Sequence, residues 1–213
     1  MRAPWRTAIA AACDLGAGSV VPRLVKRWPS APVATTDAVL RACRGSGGMP
    51  VTTSAERLFD AAAALLGVLD ENSFDGEAAA VLERAAVAGG PAKDLYSAAI
   101  DAKRTPILLD TKPVLGAVLD DSLRGADVSE AAARFHAAIV ELLVQGTTEA
   151  SKRTGVRTVA ISGSLARNRL ILRALPERLS AAGLTVLTHS AVPCDDGGIA
   201  VGQAWAGILS RRK

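Results

Sequence analysis

Aromatic side chains are scarce in this 213-residue sequence: Phe, Trp and Tyr together make up 3% of it, although 49% is hydrophobic. Alanine fills the gap, so Ala-rich helices are expected, with a few short strands of Val, Ile and Leu. Cysteine is also sparse. Cys13, Cys43 and Cys194 form no Cys-x-x-Cys pair, which excludes a zinc ribbon and a disulfide framework and fits a reducing, cytoplasmic setting. Two histidines, His136 and His189, are too few for an all-histidine metal cage. No apolar run approaches the roughly 20 residues that span a bilayer, so no membrane partner is expected. Arg2 and Arg6 flank a short apolar stretch without a cleavage pattern, so no leader is expected either. Gly-x-Ser-x-Gly, Gly-x-Gly-x-x-Gly and Walker-type phosphate loops are all absent.

What is present is a soluble globular profile, long enough for one domain and a small second one. The net charge of +4 hides an uneven distribution. Residues 1–50 carry seven basic and two acidic groups, residues 51–150 eight and sixteen, and residues 151–213 ten and three. Basic ends invite thoughts of nucleic acid, but neither stacking aromatics nor a binding motif accompanies them, and nucleic acid is not expected as a partner. Ordinary surface charge or a phosphate-bearing small ligand accounts for the pattern better.

The first 50 residues read as loosely organised helices. Pro4 suits a helix start, and the segment to Cys13 is Ala-rich. A second helix runs from Val20 or Pro22 to Trp28, and Thr36 or Asp37 caps a third reaching Cys43. Gly45–Pro50 reads as a flexible connection. Thr53 and Glu56 have capping-box spacing ahead of a helix whose apolar face carries Leu58, Ala62, Leu65, Leu66 and Leu69. Further helices are expected over Ala78–Val87, from Lys112 to Leu123 behind Asp110 and Thr111, and from Ser129 to about residue 150. The last third alternates: strand Thr158–Ser162, a Gly163-Ser164 turn, helix Asn168–Ala182, strand Leu184–Thr188, the loop Pro193–Gly198 and a closing helix Ile199–Leu209. That order implies α/β structure with a parallel sheet.

Four places could carry chemistry. Ile161-Ser162-Gly163-Ser164 is either a tight strand–helix turn or a turn that brings backbone N–H groups against phosphate. In Asp195-Asp196-Gly197-Gly198, Asp196 is the N-cap of the last helix, a ligand for a divalent cation, or both. Arg57 and Asp60 have the spacing of a surface ion pair, while Asp60 is also placed to accept ribose hydroxyls. Asp75-Gly76-Glu77 is either a helix start or a close approach to a nucleotide whose sugar Glu77 holds. His136 and His189 read as packing residues. Cys194 has no neighbouring base and is not a nucleophile candidate. No catalytic residue is assigned.

Taken in order, Pro4-Trp5-Arg6, Thr52–Gly67 (TTSAERLFDAAAALLG), Phe74–Ala79 (FDGEAA), Leu109-Asp110-Thr111, Arg134-Phe135-His136, Val159–Asn168 (VAISGSLARN) and Pro193–Gln203 (PCDDGGIAVGQ) resemble the C-terminal part of the HypF carbamoyltransferases, which mature nickel–iron hydrogenases. The resemblance runs nearly end to end. It implies an α/β fold, the second lobe of an actin-like ATPase (ribonuclease H-like) architecture, helix-rich with a small sheet. Residues 1–50 would be a helical segment completing the lobe and residues 51–213 the lobe itself.

The resemblance also implies a reaction. ATP and carbamoyl phosphate give carbamoyl-adenylate, and the carbamoyl group passes to the C-terminal cysteine of HypE to become a cyanide ligand of the hydrogenase iron. ATP or carbamoyl-adenylate and a divalent metal are the implied cofactors. By motif, Asp196 is the metal ligand; Gly163, Ser164, Asn168 and Gly197 line the nucleotide; Asp60, Gly76 and Glu77 hold the ribose side. The chain departs from the family's usual SGGVFQN at Ser164, Ala166 and Arg167. Glu56 stands where glycine is usual, and Asp195 where asparagine is. The family's acylphosphatase-like, zinc-finger and adenylate-forming modules and its histidine-rich first lobe have no counterpart here, so a first-lobe chain is expected as a partner alongside HypE. Two alternatives stay open: a non-catalytic nucleotide-binding or assembly module derived from that family, and a relative of the tRNA threonylcarbamoyl transferases.

Overall fold

A computed structural model describes residues 3–45 and 50–211. Ser46–Met49, most of the expected flexible connection, lie outside the described residues. The chain divides into two compact units between Leu142 and Leu143.

The first unit is built around one helix. α1 (Pro4–Asp14), α2 (Val21–Val25), α3 (Val33–Arg44), α4 (Ala55–Leu66), α5 (Glu77–Gly89) and α6 (Lys112–Arg124) are joined by a short antiparallel hairpin, β1 (Ala99–Asp101) and β2 (Leu108–Asp110). The N-terminal part of α7 (Val128–Thr154) completes it. α4 is buried on every side from Phe59 to Leu66. Four consecutive alanines, Ala61–Ala64, let α1, α5 and α6 approach its backbone closely. This is where the alanine goes: a helix apolar all round belongs in a core, and small side chains set the spacing of the helices about it. α1 shows the complementary stripe, with Trp5, Ala8, Ile9 and Ala12 buried at helical spacing.

The few aromatics are placed at the joints. The Trp28 indole N–H donates to the Ala64 carbonyl at 2.7 Å. Phe59 of α4 meets Phe135 of α7 edge-on at 5.0 Å, and His136 packs edge-on against both rings. Tyr96, ahead of β1, donates to Asp121 of α6 at 2.5 Å, and Asp121 also pairs with Arg124 at 2.6 Å and Arg134 at 3.0 Å. Burial works against the Asp121 carboxylate, but those three donors win and hold its pKa below the usual carboxylate range.

The second unit holds the end of α7, β3 (Thr158–Ala160), a 3-10 turn (Ser164–Arg167), α8 (Arg169–Ala181), β4 (Thr185–Leu187), a 3-10 turn (Asp196–Gly198) and α9 (Ile199–Ser210). β3 and β4 pair in parallel, Val159 opposite Val186, as the strand–helix–strand order requires. α8 buries Ile171, Leu175 and Leu179 along one stripe.

Element identities follow the sequence well, but the caps shift. The N-cap of α4 is Ser54, whose hydroxyl accepts from the Arg57 N–H, rather than Thr53; Glu56 pairs with Arg57 instead of closing a capping box. The third helix starts at Val33, and Thr36 lies inside it, bonded back to the Pro32 carbonyl. Asp127, not Ser129, opens α7 by accepting from the N–H groups of Ser129 and Glu130 at 2.9 Å. Ser54 and Asp127 have the same capping chemistry as the expected residues one and two positions away, and the third helix starts behind Pro32 with no side-chain cap, differences that periodicity alone does not resolve.

His136 gives the fold a pH dependence. Burial drives its pKa down from 6.5 to about 4, against a smaller opposing effect of its bond to the Ala132 carbonyl. Between those values the unfolded chain binds a proton that the native ring refuses. The stability is therefore complete above pH 6.5 and falls as the pH drops towards 4, by up to about 3 kcal/mol. Urea titrations from pH 7 to pH 4 should show this decline, and His136→Gln should flatten it; an unchanged slope in the variant contradicts the assignment.

Candidate functional site

In the first unit, the expected site residues form a connected network around the start of α5. Asp60 is 1% exposed. One carboxylate oxygen accepts from Arg57, and the other from the Asn72 side-chain amide at 3.2 Å. The pair foreseen on the helix surface is therefore a buried one. Desolvation raises the Asp60 pKa, while Asn72 and Arg57 hold it back. Asn72 turns its amide oxygen to the Ala78 N–H at 3.0 Å. Glu77 folds back over the same loop and accepts from the Ser73 N–H. Gly76, the residue before α5, leaves open space on the side a side chain would occupy. Asp60, Gly76 and Glu77 are thus brought together, but with different parts to play. Asp60 reaches the turn through Asn72 and positions it, while Gly76 and Glu77 are the half-buried part of the turn.

Asn72 escaped sequence reasoning. An asparagine before an Asp-Gly-Glu turn looks like one more loop residue, and only the fold shows it joining α4 to α5. A larger cavity in this unit, about 310 Å³ and lined by Arg23, Arg27, Ser122 and Arg124, lies among other residues. Its arginines are occupied with helix ends: Arg23 donates to the Leu123 carbonyl, and Arg27 to Ser122 and the Leu66 carbonyl.

In the second unit, two loops follow the carboxyl ends of two parallel strands, where open α/β sheets hold ligands. They are tied together. The Gly163 N–H donates to the Cys194 carbonyl at 2.6 Å, and the Ser162 hydroxyl to the same oxygen at 3.0 Å. Arg167 pairs with Asp195 at 3.1 Å. Gly163 has φ +93°, the left-handed region that disfavours other residues. Gly198 allows a close approach: a Cβ there would fall 2.4 Å from the Pro193 carbonyl oxygen.

Each expected residue of this unit therefore has a place. Gly163, Ser164, Asp196 and Gly197 lie on the two joined loops. Asn168 is buried and caps α8, its side-chain oxygen accepting from the Ile171 N–H at 3.1 Å. Asp195, rather than Asp196, is the local capping carboxylate, accepting from the Gly197 N–H at 3.1 Å. Asp196 is exposed. The neighbouring cavity, between α7, β3 and α8, measures about 180 Å³ and is lined by Thr147, Val159, Ser162 and Leu165 among others. That is below the range of about 300–1,000 Å³ that encloses a typical ligand, so the loops form an open shelf.

The donor set for a metal is narrow. Among the described residues no three His, Cys, Asp or Glu side chains gather as a metal cage. Asp196 offers one exposed carboxylate, and Asp195 is already paired. A hard cation fits only where phosphate and water oxygens complete its shell, which is the usual situation of magnesium at nucleotides.

The family described as "Carbamoyltransferase, Kae1-like Domain, second subdomain" matches residues 1–203. The chain belongs to that family. Carbamoyltransferase HypF2 of Cupriavidus necator is 35% identical over 97% of this chain and 28% of its own length. The crystal structure of full-length HypF in its phosphate- and nucleotide-bound form has a TM-score of 0.83 and 31% identity, covering 96% of this chain and 26% of that one. A tRNA N6-adenosine threonylcarbamoyltransferase of Syntrophotalea carbinolica is 27% identical over 76% of this chain and 47% of its own length. The helix-rich α/β fold expected for a HypF-type lobe is therefore the fold of this Kae1-like member. The chain spans about a quarter of the HypF relatives it matches.

The Asp60 network is testable apart from activity. Asn72→Ala removes the donor to Asp60 and the acceptor of the Ala78 N–H, and should cost about 1–3 kcal/mol in urea unfolding. Asn72→Asp should cost more, because it sets a second carboxylate beside a buried one.

Proposed function

We propose that this chain is the nucleotide-holding lobe of a HypF-type carbamoyltransferase, and that the shelf after β3 and β4 receives the phosphates of ATP or carbamoyl-adenylate. The observation carrying this reading is the tie between the two loops, Gly163 to Cys194, which brings a glycine turn and an exposed aspartate to one end of a parallel sheet. Gly163 spends its N–H on that tie, so its part is to keep the backbone close to the ligand. The Ser164 hydroxyl stands on the exposed turn and donates to a phosphate oxygen. Asn168 holds the turn by capping α8, and Gly197 leaves room beside Asp196. Asp196 holds a divalent cation jointly with the phosphates; such an ion neutralises the charge that builds up as a phosphoanhydride or acyl-phosphate bond changes hands. In the first unit, Asp60 positions the Gly76–Glu77 turn through Asn72.

The carbamoyl group is delivered, in this reading, to the terminal cysteine of HypE, and a separate chain supplies the first lobe. Two of the departures from the family's usual residues compensate each other. Arg167 and Asp195, where glutamine and asparagine are usual, pair across the two loops, so the tie is kept with an ion pair in place of neutral groups. This favours a working site over a decayed one.

Calorimetric titration of the chain with ATP and magnesium tests the proposal. An open shelf predicts binding near 1 mM rather than 1 μM. Asp196→Asn should weaken the magnesium-dependent part about tenfold or more and leave metal-free binding nearly unchanged. Binding that is indifferent to Asp196→Asn and to Gly163→Val contradicts the site.

A further inference from the structure

The cavity of about 310 Å³ in the first unit lies where α2 and the turn after it meet the end of α6. Arg23, Arg27 and Arg124 line it together with Ser122, and among the described residues that line it none is acidic. All three arginines are exposed, so a solute reaches them from solvent.

Their bonds to helix ends leave donors over. A guanidinium carries five N–H groups. Arg23 spends one on the Leu123 carbonyl at 2.8 Å, and Arg124 one on Asp121 at 2.6 Å. Arg27 is held more firmly: it donates to the Ser122 hydroxyl at 2.6 Å and to the Leu66 carbonyl at 2.9 Å. The Ser122 hydroxyl in turn donates to the Leu65 carbonyl, so the end of α4 fixes Arg27 by two routes. Gly67 leaves the room for it, because a Cβ there would fall 2.8 Å from Arg27 Nη2. One donor group is therefore set in place before any ligand arrives.

The charge is unbalanced as well. Asp121 pairs with Arg124 but also serves Arg134 and Tyr96. Among the described residues, the bonds of Arg23 and Arg27 go to carbonyl and hydroxyl oxygens and none to a carboxylate. The ends of α4 and α6 that supply those carbonyls carry about half a negative charge each, so about one of the two positive charges is left over. Like charges four positions apart also repel, and an anion between them turns that repulsion into attraction.

We propose that this cavity binds a phosphate group, free or carried by a small molecule, as a ligand site separate from the nucleotide shelf. Three guanidiniums match the three terminal oxygens of a phosphate monoester, whereas a carboxylate brings fewer oxygens and less charge. The volume is at the lower end of the range for small-ligand sites, which limits the size of any carrier. Arg27 is the fixed donor, and Arg23 and Arg124 supply their spare N–H groups from the exposed sides. The site shares no residue with the shelf and does not depend on it.

Calorimetric titration of the full chain, without magnesium and at fixed ionic strength, tests the site with inorganic phosphate, glycerol 3-phosphate and acetate. Phosphate should bind with a dissociation constant of about 1 mM, and acetate at least about tenfold more weakly. Tighter binding of glycerol 3-phosphate than of inorganic phosphate identifies the ligand as a phosphorylated small molecule; equal or weaker binding identifies free phosphate, and both uphold the site. Arg23→Gln should weaken phosphate binding at least about fivefold and Arg23→Lys less, with the thermal melt unchanged because Arg23 is exposed. In NMR spectra of the unaltered chain, the side-chain N–H signals of Arg23 and Arg27 should shift with phosphate and stay still with acetate. Binding that ignores Arg23→Gln overturns the proposal, and if that variant melts early, unmoved Arg27 signals in the unaltered chain overturn it instead. Phosphate binding that Gly163→Val abolishes belongs to the shelf and also overturns it, as does acetate binding as tight as that of phosphate.

Discussion

A carboxylate inside a fully buried helix is the constraint on which the first unit depends. α4 is enclosed by α1, α5 and α6, and its alanines make that enclosure tight. Asp60 on such a helix must be satisfied or the core pays for an uncompensated charge. Arg57 satisfies one side from within the helix, and Asn72 satisfies the other from the loop ahead of α5. Because Asn72 also holds the Ala78 N–H, the need to satisfy a buried oxygen becomes a device that fixes the Gly76–Glu77 turn. Packing and site geometry are here the same set of bonds.

The second unit solves a different problem. Parallel strands bring their following loops to one end of the sheet, and each loop must settle its own polar groups there. Cys194 serves through its carbonyl rather than its thiol, receiving both Ser162 and Gly163. The close approach at Gly198 and the left-handed backbone at Gly163 explain why small residues stand in both loops. The Arg167–Asp195 pair is exposed enough on the arginine side to add little stability, but it links the loops in a defined way.

α4 and α9 show how one composition has two meanings. Both are twelve residues long and alanine-bearing, and apart from the buried Asp60 the second half of α4 is as free of charge as α9. Three helices surround the first; the second meets water along its whole length. Hydrophobic pattern states what a helix needs, and only the arrangement of neighbours states whether the need has been met within the chain.

Much was legible from sequence because it depends on local chemistry. The helices of the first unit, the strand–helix–strand order of the second, and the two glycine-bearing loops all follow from periodicity, proline and glycine placement, and β-branched runs. The order of seven short segments carried the resemblance to the HypF carbamoyltransferases, which the family match bears out. The hairpin was not visible, since its strands are three residues each and Ala99–Asp101 has no strand signature of its own. Tertiary structure alone decided which of two adjacent carboxylates was used up, Asp195 rather than Asp196. It also decided that Asp60 is buried rather than on the surface, and that Asn72 is its partner. Those choices depend on distances between residues remote in the chain, and such distances exist only after the helices and strands have packed.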